Sequence, residues 1–433
     1  MAGINGRGGA HIDGFAGMDK DRHLIDPDSR LYDSRPRKVM AAAATRRPAW
    51  PTFLRRLTTS RWTPFLSPRA TTVTAFADHG LARGKDVYVE KPISHNVFEG
   101  RKCVEAAQKY GRVVQHGTQN RSSSGRAREV AAVQSGKYGK LRVSKGYCCK
   151  PRWSIGEKPI GKPPAGLDFN LWLGPAREQP YHGNLVHYNW HWFWETGNGD
   201  IGNQGVHEMD VARWAIAGAT LPTKVWSLGG RFLPDKADQG ETPNMLLSVF
   251  EYPECLLVFE TRGLVDKEVP EFAGRMVSNE YYTTEGVIRG GKFYPNGGGD
   301  PVSVQGGEAS VTPGGPFGAF ITAMRSRNPK DNNCDAETPH YSAALCHLGN
   351  IFLPAGRVRQ VRSEVRLAGR QPRGGRSVRD DQGQLEGSRH SAGPNDLYQL
   401  GRQLTFDSGD RAVRGRRSRQ PTADASLPSR RSS

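Results

Sequence analysis

An α/β fold with a dinucleotide-binding N-terminal half is what the sequence predicts, and three stretches predict it. Gly3-Ile-Asn-Gly-Arg-Gly8 opens the chain and runs through Gly9-Ala-His11 into a helix-compatible segment. Leu24-Ile-Asp-Pro-Asp28 is a short apolar run that ends in acid. Gly84-Lys-Asp-Val-Tyr-Val-Glu-Lys-Pro92 reads as a strand whose end carries Glu90, Lys91 and Pro92. With 433 residues the chain is long enough for two domains with sizeable cores.

The first stretch has the form of a Rossmann fingerprint, in which glycines let the backbone approach a pyrophosphate at a helix N-terminus. Gly3, Asn5, Gly6, Arg7 and Gly8 are the candidate contacts, with Asn5 where a middle glycine would stand. A chance turn would read the same way. Asp26 is placed to accept hydrogen bonds from ribose hydroxyls, which favours NAD over NADP; the alternative is a turn residue before Pro27. Two residues precede Gly3, so the first strand of such a sheet is expected to be nearly missing.

Lys91 is the strongest chemical candidate. An amine at a cleft-facing strand end can exchange a proton with a substrate hydroxyl as hydride leaves the adjacent carbon. The competing reading is a surface lysine lying along Glu90. Further on, Gly199-Asp-Ile-Gly-Asn-Gln-Gly-Val-His-Glu-Met-Asp210 puts His207 on a tight turn leading into a helix, with Asp210 three residues later. Tyr188-Asn-Trp-His-Trp-Phe-Trp194 holds five aromatics in seven residues. Aromatic faces stack on sugar rings, and Asn189, Trp190 or His191 could line a polyol site; alternating burial in a sheet core explains the pattern nearly as well. Gln115-His-Gly-Thr-Gln-Asn-Arg121 leaves an apolar strand with His116, Gln119 and Arg121 at its tip, a contact region or a plain turn. No cluster has zinc spacing, and neither a Walker loop nor Gly-x-Ser-x-Gly occurs.

The strand-end Glu90-Lys91-Pro92 together with the Gly199–Asp210 stretch resembles the glucose-fructose oxidoreductase / inositol dehydrogenase family (Gfo/Idh/MocA), marked by a Glu-Lys-Pro strand end and a later Asp-x-Gly-x-His-x-x-Asp. The resemblance runs over residues 2–38 and 84–350. It implies a Rossmann-like domain, incomplete here, followed by an α/β domain with a mostly antiparallel open sheet that often forms the oligomer interface. It also implies Lys91 as catalytic lysine, His207 as second acid/base, Glu90 beside the cofactor, and NAD as cofactor. The departure is Asn203, where the family commonly has Asp; an amide can orient the histidine ring but cannot stabilise imidazolium by charge. Asp200 is a weak substitute and a candidate substrate contact. The implied function is oxidation of a sugar or cyclitol hydroxyl. The alternatives are an NAD-dependent glycoside hydrolase of the same family or a vestigial, inactive member.

A net charge of +18 would ordinarily suggest nucleic acid. Residues 41–84 and 357–433 carry net +6 and +9, all of their basic residues being arginine, which leaves +3 for the segments that hold all 17 lysines. Arginine has four CGN codons, so GC-rich sequence translated out of frame yields Arg, Pro, Ala and Ser without Lys. A one-base step back through Thr59–Arg69 permits a buried-strand pattern, Asp-Lys-Ser-Val-Asp-Ala-Val-Ser-Ile-Ala-Thr. These two segments are therefore expected not to pack; a diverged loop and a basic disordered tail would have the same composition. No nucleic-acid partner is expected. The expected division is residues 1–117 (41–84 disrupted), 118–353, and a tail over 354–433.

Six cysteines without CxxC spacing read as free thiols in a reducing compartment. No run approaches a membrane span and no secretory signal is legible at the start, so a cytoplasmic protein is expected; an export signal lost with a truncated start stays open.

Overall fold

The computed structural model describes residues 7–15, 23–24, 26, 28–31, 45–46, 81–82, 84–233, 237–265, 276–306, 309–355, 357–360, 397–400, 404–406 and 413–414. Gly3, Asn5 and Gly6 lie outside the described residues, as does most of the two arginine-rich segments.

The N-terminal part begins with helix α1 (Arg7–Phe15) and a short parallel pair, β1 (His23–Leu24) with β2 (Thr45–Arg46). Strand β3 (Val87–Val89) is buried at every position, as expected of a strand covered on both faces. Helix α2 (Val97–Tyr110) follows. Asn96 caps its N-terminus by accepting from Glu99 N at 2.9 Å, and Gly111, at φ 59°, ends it in the left-handed conformation. Gly100, Cys103, Val104 and Ala107 form its buried stripe. Strand β4 (Val114–His116) then pairs parallel with β3, Val89 opposite His116, completing a β-α-β unit.

After the 3₁₀ turn Gln119–Ser122 come α3 (Ser124–Gln134), β5 (Leu141–Cys148) and the short α4 (Phe169–Leu173). Two consecutive helices follow, α5 (Gly199–Asn203) and α6 (Gly205–Trp214). The strands β6 (Lys224–Gly230), β7 (Met245–Glu251), β8 (Leu256–Arg262), β9 (Val277–Thr283), β10 (Gly286–Arg289), β11 (Lys292–Pro295) and β12 (Val302–Ser303) build one large sheet with β5. Its order is β12-β11-β10-β9-β5-β8-β7-β6, antiparallel throughout except for the parallel β5–β8 pair. The mixed α/β class with a mostly antiparallel C-terminal sheet is the one the sequence predicts. In β6 and β9 alternate side chains are buried, so one sheet face is covered. The cover is α6. It lies close because Gly146 on β5 has no Cβ to meet Glu208 O and Phe259, each 3.0 Å from where one would stand.

The chain then returns to its beginning. Helix α7 (Gly315–Ser326) places Phe320, Ala323 and Met324 against Phe15, Tyr88 and Val113. Helix α8 (Glu337–Ala355) packs Ala343 with Val87, Val89 and Cys103, while Leu345 and Leu348 sit in the core under the sheet. Further strands β13 (Arg357–Gln360), β14 (Leu397–Leu400), β15 (Leu404–Phe406) and β16 (Val413–Arg414) extend the sheet, β14 and β15 pairing with β6. They fall in the stretch expected to be a tail. None of the six cysteines forms a disulfide. Among the described residues no helix is long and apolar enough to cross a membrane.

Candidate active site

The buried run of β3 delivers Glu90 and Lys91 to the C-terminal ends of the parallel pair, and the Lys91–Pro92 bond is cis. From there Lys91 Nζ donates to both oxygens of Asn203, the main-chain carbonyl and, at 3.1 Å, Oδ1. Asn203 ends α5, and the next helix presents His207 on its first turn. The side chain expected to orient His207 is thus turned to Lys91 instead. An amide oxygen satisfies an ammonium group without adding a negative charge, which is what a carboxylate at that position would supply.

His207 is held strongly toward its neutral form. Burial, and next to it the positive charge of Lys91, push its pKa down to about 3, against weaker upward pulls from Glu90 and Asp210. The ring is therefore an unprotonated acid/base group beside an amine. His116, at the end of β4, is neutral for the same reason, with burial lowering it to about 4 despite Glu90 and Asp210. Its Nδ1 lies 3.2 Å from Thr118 Oγ1.

Glu90 is buried 2.7 Å from Nε2 of His11, a residue of α1 that also packs edge-on to Tyr88 and Phe317. On its other side a Cβ on Gly117 would stand 2.8 Å from the Glu90 carboxylate. Glu90 thus ties α1 to the turn after β4. Nothing in sequence spacing alone links His11 to a residue 79 positions away.

Several candidates point elsewhere. Asp210 has no exposed surface; it takes Arg121 in a two-bond fork, Nε to Oδ2 at 2.8 Å and Nη2 to Oδ1 at 3.0 Å, and accepts from Ser342 Oγ at 2.6 Å. Burial alone would raise its pKa, but Arg121, Arg213 and Ser342 together bring it below the ordinary value. Both Asp210 and Arg121 are therefore engaged in fastening α6 to the turn after β4, and Arg121 also covers the Trp214 ring at 4.4 Å. Gln119, on that turn, keeps a buried Nε2 with no protein acceptor. Asp26 Oδ1 accepts from Asp28 N at 2.9 Å, the turn geometry that was its alternative reading. The buried carboxylate of that segment is Asp28, paired with Arg30 and with His187 at 2.8 Å. Gly8 is buried at the start of α1 beside Arg7.

The aromatic stretch divides. Half-buried Trp190 and buried Phe193 pack with Leu167, Trp172 and Leu185 beside a 3₁₀ turn, not in the sheet core that alternating burial would require. Asn189 begins the 3₁₀ turn, Tyr188 is exposed, and His191 is buried with Nδ1 donating to Tyr188 O at 2.8 Å. Asp200 is buried 2.9 Å from Arg152 Nη2 and accepts from Cys148 Sγ at 3.4 Å. Arg152 follows β5 in a segment with no motif to mark it. No group of His, Cys, Asp and Glu among the described residues could hold a metal ion.

A parallel β-α-β unit with a lysine at its strand end, facing a histidine on the helix that covers an open antiparallel sheet, defines the two-part α/β class of dehydrogenase-like folds. Residues 132–226 match the family model described as "Oxidoreductase family, C-terminal alpha/beta domain" (GFO_IDH_MocA_C2). Solved structures agree on the fold. The WlbA dehydrogenase from Bordetella pertussis, in complex with NADH and UDP-GlcNAcA, superposes with TM-score 0.56 at 13% identity over 80% of this chain and 93% of its own. The UDP-N-acetylglucosamine 3-dehydrogenase GnnA from Acidithiobacillus ferrooxidans gives 0.52 at 13%, over 81% and 95%. The aldose-aldose oxidoreductase from Caulobacter crescentus, complexed with glycerol, gives 0.53 at 14%, over 77% and 89%. No curated protein matches by sequence.

Proposed function

We propose that the protein is an NAD-dependent dehydrogenase that oxidises a hydroxyl of a sugar or cyclitol, with residues 1–117 as the nucleotide half and 118–353 as the substrate half. The observation that carries this reading is the junction of Lys91 with Asn203 beside neutral His207, where a strand end of the nucleotide half meets the helix covering the sheet. The described residues fit a dinucleotide at the C-terminal ends of β3 and β4, the usual ligand edge of such sheets. There Gly117 admits no side chain, and the buried Gln119 Nε2 donor and His116 Nε2 have no protein partner. Gly117, Gln119 and the start of α1 at Gly8 would hold it. When bound, NAD supplies the hydride acceptor.

The remaining chemistry belongs to the chain's own residues. In its free-amine form Lys91 donates two N–H bonds to the Asn203 oxygens, which fix where the nitrogen stands, and takes the hydroxyl proton on the remaining lone pair of Nζ. His207, neutral over the physiological range, accepts a hydrogen bond or the proton itself. Glu90 holds its place through His11 and keeps the strand end registered on α1. Sugar-acting relatives of the same fold, among them the two UDP-sugar proteins above, support a carbohydrate substrate. The test is Lys91→Ala in the full chain: turnover of polyols should fall by about 10²–10⁴ with NAD affinity little changed. Full turnover on every polyol the parent oxidises would overturn the assignment.

A further inference from the structure

We propose that Arg152, His191 and Tyr188 form a recognition subsite beside Lys91 for an uncharged polyol ring, reading one hydroxyl as an acceptor and another as a donor. The inference rests on the polyol-oxidising reading above and names the part of the substrate that this corner would grip.

His191 is 2% exposed. Because its Nδ1 must donate to the Tyr188 carbonyl, the tautomer is fixed and the lone pair is on Nε2, which is buried without a protein donor. Burial lowers its pKa to about 4 in spite of Asp200, so the lone pair stays available at neutral pH. Arg152 spends Nη2 on Asp200, yet its Nε–H is also buried with no protein acceptor. The two groups share a locality: Arg152 lies on Asp200 and Lys91 on Asn203 of the same short helix α5, and the 3₁₀ turn that carries His191 packs against that helix. A buried donor and a buried acceptor left unmet destabilise the fold unless a ligand or water meets them. Neighbouring hydroxyls on a ring satisfy both, since each can donate and accept.

Charge sets the class of ligand. Asp200 already neutralises Arg152, so a carboxylate on the sugar would find no uncompensated guanidinium. Tyr188 supplies the apolar surface: the residue is 60% exposed and its ring stands edge-on to His191 with centroids 5.0 Å apart. A C–H face of a sugar or cyclitol can stack there, a role that buried Phe193 cannot fill.

The experiment is calorimetric titration of the NAD-supplemented full chain with myo-inositol, glucose and glucuronate. Tyr188→Ala changes an exposed side chain, and Arg152→Lys keeps a cation for Asp200 while deleting the Nε donor. Each should weaken the neutral ligand that binds best by about 3–10-fold, with the thermal midpoint of Tyr188→Ala unmoved. Glucuronate should bind no tighter than glucose. Variants that bind within about twofold of the parent, or glucuronate binding about tenfold tighter than glucose, overturn the subsite. If those variants bind normally while Lys91→Ala still loses turnover, the subsite alone fails; if none of the three probes binds and none is oxidised, both readings fail.

Discussion

Replacing Asp210 by Asn tests whether this carboxylate fastens the two halves of the site together. It has no exposed surface and sits against the forked Arg121 at 2.8 and 3.0 Å, with Arg213 at 3.9 Å. Coulomb attraction at that separation is gross about 6 kcal/mol at an effective dielectric of about 20, and desolvation of both ions offsets much of it. Removing one partner of such a buried pair leaves the other charge uncompensated and costs about 3–5 kcal/mol. At roughly 2–4 °C per kcal/mol, the midpoint of thermal unfolding should fall by about 6–20 °C. Calorimetric melts across pH separate charge from shape. The folded pKa of Asp210 is depressed, so its contribution is present above the unfolded value and disappears as pH falls through the folded one. The gap between parent and Asp210→Asn should therefore close in acid, as pH falls below the ordinary aspartate range. A gap under about 1 °C at neutral pH, or one equally wide in acid, would refute the reasoning.

Three other outcomes follow from the same geometry. Asn203→Asp puts a carboxylate 3.1 Å from the Lys91 amine and near His207, so it should favour the cationic forms and move the pH–rate optimum upward by about one unit; an unmoved or acid-shifted profile counts against it. Glu208, which burial raises to about 8, is destabilising once solution pH exceeds its unfolded value, so Glu208→Gln should gain on the parent from pH about 5 and level off near 8, by a few kcal/mol at most in denaturant titrations; a pH-independent difference would exclude that cause. Gly117→Ala drives a methyl into the Glu90 carboxylate and should cost about 1–3 kcal/mol in the same assay, whereas an unchanged midpoint would mean the turn yields freely.

What could be read from the sequence was whatever neighbours in the chain decide. The apolar Val87-Tyr-Val89, just before Glu90, Lys91 and Pro92, set β3. Lys91 and His207 were legible because each sits in a motif of its own, and the fold makes them neighbours. What could not be read depends on contacts between distant positions. The return of α7 and α8 to β3 and β4 is held by Arg327 on Asp86 at 2.8 Å and by Asn332 on Val114 O at 2.6 Å, across more than two hundred residues. The direction of Asp210 was hidden for the same reason, its partner Arg121 lying 89 positions earlier.

The same distinction explains why the contact of Asn203 with Lys91 was not legible from spacing. Four residues before His207 on a helical turn, its side chain could face the ring or the strand end, and sequence spacing allows both. The fold brings Lys91, a long side chain with three donors, to the same end of α5. A cation needs acceptors, and Asn203 offers two oxygens where a neutral imidazole would use one. Lys91 therefore claims the amide, and His207 is left to the field of its surroundings, in which burial and the lysine charge act in the same direction. The two candidate proton carriers are coupled through space by charge, so a change at residue 203 must alter both.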